Sequence, residues 1–256
     1  MKQSLIALAL LGAFAAPTFA EEAAAPAEHT FTGNVGFVSN YIFRGISQSQ
    51  NKPALQGGFD YAHSSGLYAG TWASNVGWVS RSDFPTKENN SLELDLYGGY
   101  KGSIAEDLGY DVGVIKYYYP GNAIAGVATP DTMEVYAGLT WKFITLKYNY
   151  VVSKYIFAWG DESGSGKDNR GSGYIDLSMN YDLGDGWGIL AHVGHQDVKN
   201  YSSASYTDYK LGVTKDVGVG VVGLTLSDTD AKKSVYTWDG KDVSKGVAFL
   251  SFTKTF

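Results

Sequence analysis

The chain has 256 residues, no cysteine, 14% aromatic residues, 32 glycines against 6 prolines, and a formal charge of −6. The length fits one large all-β domain. The lack of cysteine excludes a disulfide scaffold, and mild acidity without a basic stripe leaves no footprint for nucleic acid. After residue 20 no apolar run approaches 18 residues, which excludes a helical membrane protein.

At the amino end Met1-Lys2 is positive, Leu5 to Ala16 is apolar or small, and Thr18-Phe19-Ala20 carries small residues before a cut. This is the pattern of a cleaved secretory signal over residues 1–20; as an anchor the run is too short, and Pro17 interrupts it. Residues 21–30 are then expected as a short periplasmic segment and 31–256 as the folded domain.

Twelve segments with strand alternation follow, beginning near residues 31, 54, 66, 91, 108, 132, 143, 173, 187, 206, 217 and 246. In the first, Phe37, Tyr41 and Phe43 share one parity and Asn34, Asn40 and Arg44 the other, with "SQSQNKP" expected as the first exposed loop. "ALQGGFDYAH" returns with Leu55, Phe59 and Tyr61 on one face and Gln56 and Asp60 on the other. A two-residue turn at Ser64-Ser65 would set Phe59 opposite Gly70 and Gly57 opposite Trp72, all on one face. In "SLELDLYGGYKG", Leu92, Leu94, Leu96 and Tyr100 oppose Glu93, Asp95, Tyr97 and Lys101. A turn at Lys142-Phe143 pairs Leu139 with Leu146, Ala137 with Tyr148 and Val135 with Tyr150. "YIDLSMNYDL" sets Ile175, Leu177 and Met179 against Asp176, Ser178 and Asn180, and "LGDG" then turns Ser178 toward His192. The last segment, "GVAFLSFTKTF", puts Ala248, Leu250, Phe252 and Phe256 on one face and Ser251, Thr253 and Thr255 on the other.

The connections alternate in length. Tight links at "HSSG", Ser103 to Asp107, Lys142-Phe143, "LGDG" and Lys215 to Val217 alternate with long polar ones. The long set comprises "SQSQNKP", "GWVSRSDFPTKENN", "GNAIAGVATPD", "GDESGSGKDNRGSG", "DVKNYSSAS" and Asp228 to Lys245. An even strand count with loops sorted by parity describes a transmembrane up-and-down antiparallel β-barrel of about twelve strands, apolar outside and polar within. The terminal aromatic of an alternating strand resembles the assembly signal of bacterial outer-membrane barrels, carried by Ala248, Leu250, Phe252 and Phe256; Lys254, where that signal has a hydrophobic residue, departs from it.

The blocks "VSNYIFRGISQSQNKPALQGGFDYAHSSGLYAGTWASNV", "ELDLYGGYKG", "EVYAGLTW", "HVGHQD" and "YTDYKLGVTKDVG" together resemble the TorF-type family of proteobacterial outer-membrane porins, long carried as exported proteins of unknown function. The resemblance spans nearly the whole mature chain. It implies an outer-membrane barrel with a channel role and brings no catalytic residues with it.

Interior parity gathers Asp60, Glu93, Asp95, Asp111, Glu134, Asp176 and Asp208 against Arg44, Lys147 and Lys210, with His192 among them, as candidate lumen lining. Inward Tyr97, Tyr117 and Tyr136 would narrow so slim a barrel. Catalysis is not expected: Ser178, Asp176 and His192 suggest a hydrolase trio, but no nucleophile motif surrounds the serine. "GDESGSGKD" has five residues between Gly160 and Gly166 where a phosphate loop needs four, and Asp168 replaces its hydroxyl residue. His192 and His195 point to opposite faces of one strand, and Asp228, Asp230, Asp239 and Asp242 match no calcium loop, so no metal or cofactor is assigned. The expected function is passive diffusion of small hydrophilic solutes through the outer membrane, with lipid, lipopolysaccharide and the barrel-assembly machinery as partners. The alternative is a closed structural or adhesive barrel whose loops bind a partner.

Overall fold

The computed structural model describes residues 27–80, 91–121, 130–159 and 167–256. The signal segment, most of the 21–30 segment and parts of three long links, "GWVSRSDFPTKENN", "GNAIAGVATPD" and "GDESGSGKDNRGSG", lie outside the described residues.

Sixteen strands are described: β1 (His29–Val38), β2 (Ile42–Phe43), β3 (Ile46–Ser47), β4 (Ala54–His63), β5 (Leu67–Asn75), β6 (Leu92–Ala105), β7 (Leu108–Tyr118) and β8 (Thr132–Trp141), then β9 (Ile144–Val151), β10 (Gly173–Gly184), β11 (Trp187–Asp197), β12 (Tyr206–Asp216), β13 (Val221–Thr229), β14 (Thr237–Trp238), β15 (Lys241–Asp242) and β16 (Val247–Thr255). Twelve form a closed antiparallel barrel in the order β1-β16-β13-β12-β11-β10-β9-β8-β7-β6-β5-β4, while β2-β3 and β14-β15 are small separate hairpins. The all-β barrel read from alternation is thus the observed fold. Closure gives each barrel strand a partner on both sides over most of its length, as a sheet crossing a membrane requires.

The faces sort as the alternation requires. On β16, Leu250 is 56% exposed on the outside and its neighbour Ser251 only 6% on the inside. Leu96, Leu139, Leu177, Leu211 and Leu224 form an outward apolar band. Trp141, Tyr181 and Trp187 ring it at the tight-link rim, and Tyr118, Tyr150 and Tyr209 ring it at the opposite rim. Aromatic girdles around an apolar waist are the arrangement that places amphipathic rings at two membrane–water interfaces. An arginine at Leu177 or Leu250 is therefore expected to cost about 2–4 kcal/mol and to deplete the heat-modifiable folded form on gels. The same change at Thr140 or Ser178 is expected to be mild.

The hairpin at Lys142-Phe143 has the register expected of it, with Leu139 opposite Leu146, Ala137 opposite Tyr148 and Val135 opposite Tyr150. The β4-β5 hairpin is offset by one residue: Phe59 faces Thr71, Gly58 faces Trp72 and Asp60 faces Gly70. The cause is Gly66, which at φ +101° takes a left-handed conformation and joins the two serines in the turn. A one-residue offset exchanges faces, so Trp72 is buried inside the barrel while Phe59 is exposed on its outer surface. The ring beside Gly70 is that of Tyr97 on β6. Two boundaries also move. β1 starts at His29, inside the segment expected to precede the barrel, and β13 starts at Val221 because Val217 and Gly220 close a turn ahead of it.

The largest difference is at residues 39–53. Parity had Tyr41 and Phe43 facing lipid and "SQSQNKP" exposed, yet Tyr41, Ile46, Ser47, Gln48, Ser49 and Gln50 are all buried. β1 ends at Val38, and the chain turns into the barrel as the β2-β3 hairpin, with Arg44 and Gly45 at its tip in left-handed conformations (φ 45° and 76°). The local residues make this possible. The Asn40 Oδ1 atom accepts hydrogen bonds from Ser47 Oγ (2.6 Å) and Ser49 Oγ (3.2 Å), and Ser49 Oγ also accepts from the Tyr41 amide (3.0 Å), so short polar side chains satisfy a backbone that has left the sheet.

Candidate functional site: a strapped lumen

The in-folded segment forms a strap across the barrel. Arg44 makes a two-pronged ion pair with Glu134 of β8 (2.9 and 2.7 Å) and donates to Gln196 Oε1 of β11 at 2.8 Å. Its guanidinium lies 4.3 Å from the Tyr174 ring centre and 4.8 Å from that of Phe43. Burial lowers the arginine's pKa, Glu134 and the nearby tyrosines raise it, and the net shift is upward, so the strap carries a permanent cation. At Gly45 a Cβ would sit 2.5 Å from Asp208 Cβ, so only glycine lets the tip approach β12 this closely. On the other flank Tyr41 Oη donates to Glu93 Oε1 and Tyr119 Oη to Glu93 Oε2, each at 2.6 Å. Burial, and after it Glu93, raise the Tyr41 phenol well above its ordinary value, which keeps it a donor.

Aromatic side chains pack around the strap. Phe43 meets Tyr117 edge-on at 5.5 Å, Trp78 meets Tyr119 at 5.0 Å, and Trp159 meets Tyr236 at 5.3 Å. Trp78, Phe157, Trp159, Tyr206, Tyr236 and Trp238 enclose, with Arg44 and Gln196, a pocket of about 500 Å3 counting its open side. These loop aromatics were overlooked in the sequence. Their signal is tryptophan in or directly beside three long links, at Trp78, Trp159 and Trp238, where an exposed loop has no use for one.

Toward the tight-link rim the interior is polar and half-buried. Tyr97 Oη donates to Asp60 at 2.6 Å and Tyr68 Oη to Asp111 at 2.6 Å, while Tyr68 and Tyr136 meet hydroxyl to hydroxyl. Lys147 Nζ stands 3.7 Å from the Tyr136 ring centre. His192 is held between two carboxylates, Nδ1 at 2.7 Å from Asp176 and Nε2 at 2.9 Å from Asp208, with Lys210 in the neighbouring register position on β12. Ser178 donates to Asp176 at 2.6 Å and His192 Nε2 is engaged by Asp208, so this is a charge cluster without the serine-to-imidazole contact of a hydrolase. The remaining acid, Asp95, is 1% exposed, and neither of its oxygens has a hydrogen-bond partner among the described residues.

All eleven lumen candidates, from Arg44 to Lys210, thus lie on the interior side. What parity could not give was their pairing, with Glu134 matched to Arg44, Glu93 capped by two phenols, and Asp95 left alone. Carboxylates in the Asp228 to Lys245 link are engaged locally: Asp230 accepts from the Thr207 amide at the start of β12 at 2.6 Å, and Asp242 from Ser244 Oγ within the link at 2.9 Å.

A family model described as a bacterial protein of unknown function (Gcw_chp) matches residues 21–256. The chain belongs to the Gcw_chp family. No curated protein matches it. Among solved structures, the Gcw_chp barrel is similar to the KdgM porin at 4% identity, covering 88% of this chain and 98% of that one with a TM-score of 0.53. The KdgM porin in complex with disordered oligogalacturonate matches at 4% identity, with coverage of 89% and 98% and a TM-score of 0.52. The NanC porin matches at 9% identity, with coverage of 88% and 98% and a TM-score of 0.53. At such identities the likeness shows that the Gcw_chp barrel has the porin fold.

Proposed function

We propose that this protein is an outer-membrane channel for small hydrophilic solutes, its outer half narrowed by the strap at residues 39–53. The observation that carries this reading is the inverted polarity of the closed barrel, apolar and girdled outside, charged within. Such a surface is stable only in lipid, and such an interior is useful only when wet. The fold of the KdgM and NanC porins and the TorF-type resemblance of the sequence support the same reading. A signal over residues 1–20 would export the chain, and the outward residues Ala248, Leu250, Phe252 and Phe256 would be read by the barrel-assembly machinery. Lipid and lipopolysaccharide would then surround the waist.

A second reading has its own observation. The buried pair Arg44–Glu134 and the aromatic packing around it would also suit a barrel that stays shut and works through its loops. Single-channel recording in planar bilayers decides between them, since well-assembled protein without any conductance would replace the channel with the closed barrel.

Topology is checked separately. The start of β1, the end of β16 and the tight links share one rim, proposed as periplasmic, so a cysteine at Ser234 is expected to label with an impermeant maleimide in intact cells. One at Glu106 is expected to label only after the outer membrane is opened, and reversed labelling would invert the orientation.

A further inference from the structure

At the tight-link rim, away from the lumen, Glu28, His29 and His63 converge. One ligand atom from each lies within 4.8 Å of the other two. The register explains why. His29 pairs directly across the strands with His63, which brings their ring centres to 5.1 Å, and Ser64 N–H donates to the Glu28 carbonyl at 2.9 Å, holding Glu28 over the turn. His63 Nε2 is 3.6 Å from Glu28 Oε1. Ligands on one tetrahedral zinc stand about 3.4 Å apart, given metal–ligand distances near 2.0–2.1 Å. One edge of that tetrahedron is therefore almost formed, and rotation of exposed side chains closes the others.

The outer ring of partners also fits. His29 Nδ1 is 3.0 Å from Tyr61 Oη, and His63 Nδ1 is 2.7 Å from Ser65 Oγ. Tyr61 Oη can accept a proton from His29 Nδ1, which leaves that ring's Nε2 for a metal, while His63 Nδ1 also accepts from the Ser65 amide at 3.1 Å, which holds the ring's orientation over the turn. Two imidazoles and one carboxylate, with a fourth position open to water, suit a borderline cation of the zinc class rather than calcium or magnesium.

The geometry points to a divalent transition-metal site, Glu28–His29–His63, that clamps the start of β1 to the end of β4. The clamp falls where β1 is paired on one side only. β16 pairs with β1 only from Asn34 onward, so His29 to Thr32 have β4 as their sole strand partner. In sequence the two histidines are 34 positions apart and show no ligand spacing; only the cross-strand register joins them.

The test uses the mature chain in detergent, stripped with a chelator and titrated with zinc chloride by calorimetry at neutral pH. The expected result is one saturable equivalent, weakened by about tenfold or more in His29→Ala and His63→Ala. His195→Ala, on a different strand, is expected to bind as the parent does. Absence of saturable binding, or binding unchanged in both histidine variants, overturns the site. Where those variants fail to give the heat-modifiable folded form, Glu28→Gln decides. A zinc-dependent rise in unfolding temperature present in the parent and reduced in Glu28→Gln supports the clamp, and an equal rise in both overturns it.

Discussion

Replacing Arg44 with alanine is expected to raise single-channel conductance severalfold. The guanidinium is the strap's main polar anchor, holding Glu134 through two hydrogen bonds and Gln196 through a third. Removing one partner of a buried pair leaves the other charged and unsolvated, at a cost of about 3–5 kcal/mol. Glu134 is fully buried, so it regains water only if the strap lifts away. The control removes both charges together. Arg44→Met with Glu134→Leu leaves no stranded ion and is expected to keep conductance close to that of the parent. Equal conductance in the parent and Arg44→Ala would show that the strap is not what limits flow.

The second large effect concerns selectivity. Among the described residues the interior carboxylates outnumber the interior cations Arg44, Lys101, Lys147 and Lys210, and Arg44 is spent on Glu134. Asp60, Asp111 and Asp176 are only half-buried on the passage wall, and an excess of carboxylates along a narrow, low-dielectric passage concentrates counter-ions. Reversal potentials in a salt gradient are therefore expected to show cation preference. In the double variant Asp60→Asn, Asp111→Asn that preference is expected to fall by about half or more, while Lys210→Gln is expected to strengthen it. Anion preference in the parent would mean that the Asp60, Asp111 and Asp176 charges are masked, and would remove this account of the lumen.

Particular residues show how much was legible beforehand. The face of every barrel strand from β6 to β12 follows from two-residue alternation, because a side chain misplaced by one position would be charged in lipid or apolar in the lumen. Leu139 opposite Leu146 was readable for the same reason, since a two-residue turn leaves no freedom of register. Trp72 was assigned to the wrong face because one glycine lengthened a turn, a choice that depends on the φ of Gly66 and not on hydrophobic pattern. The strap escaped for a different reason. Alternation carries through Tyr41 and Phe43 although β1 stops at Val38, and a tyrosine suits an aromatic girdle and a buried hydrogen bond to Glu93 equally well. Only tertiary contacts, with partners 52, 90 and 152 positions away, separate the two outcomes.

Those separations set an order of events. The strap lies among the first residues of the barrel to be made, yet the side chains that receive it, Glu134, Gln196 and Asp208, sit on strands from the middle and the later part of the chain. Contacts so distant in sequence form late, after loop-closure entropy has been met by strand pairing. The strap therefore cannot seat while the barrel is open, and the last strands must be in place before its tip has anywhere to go. A chain caught partway through membrane insertion would hold residues 39–53 outside the sheet, within reach of a protease. Protection of that segment would then serve as an internal clock for assembly, starting only when the seam between β1 and β16 has closed.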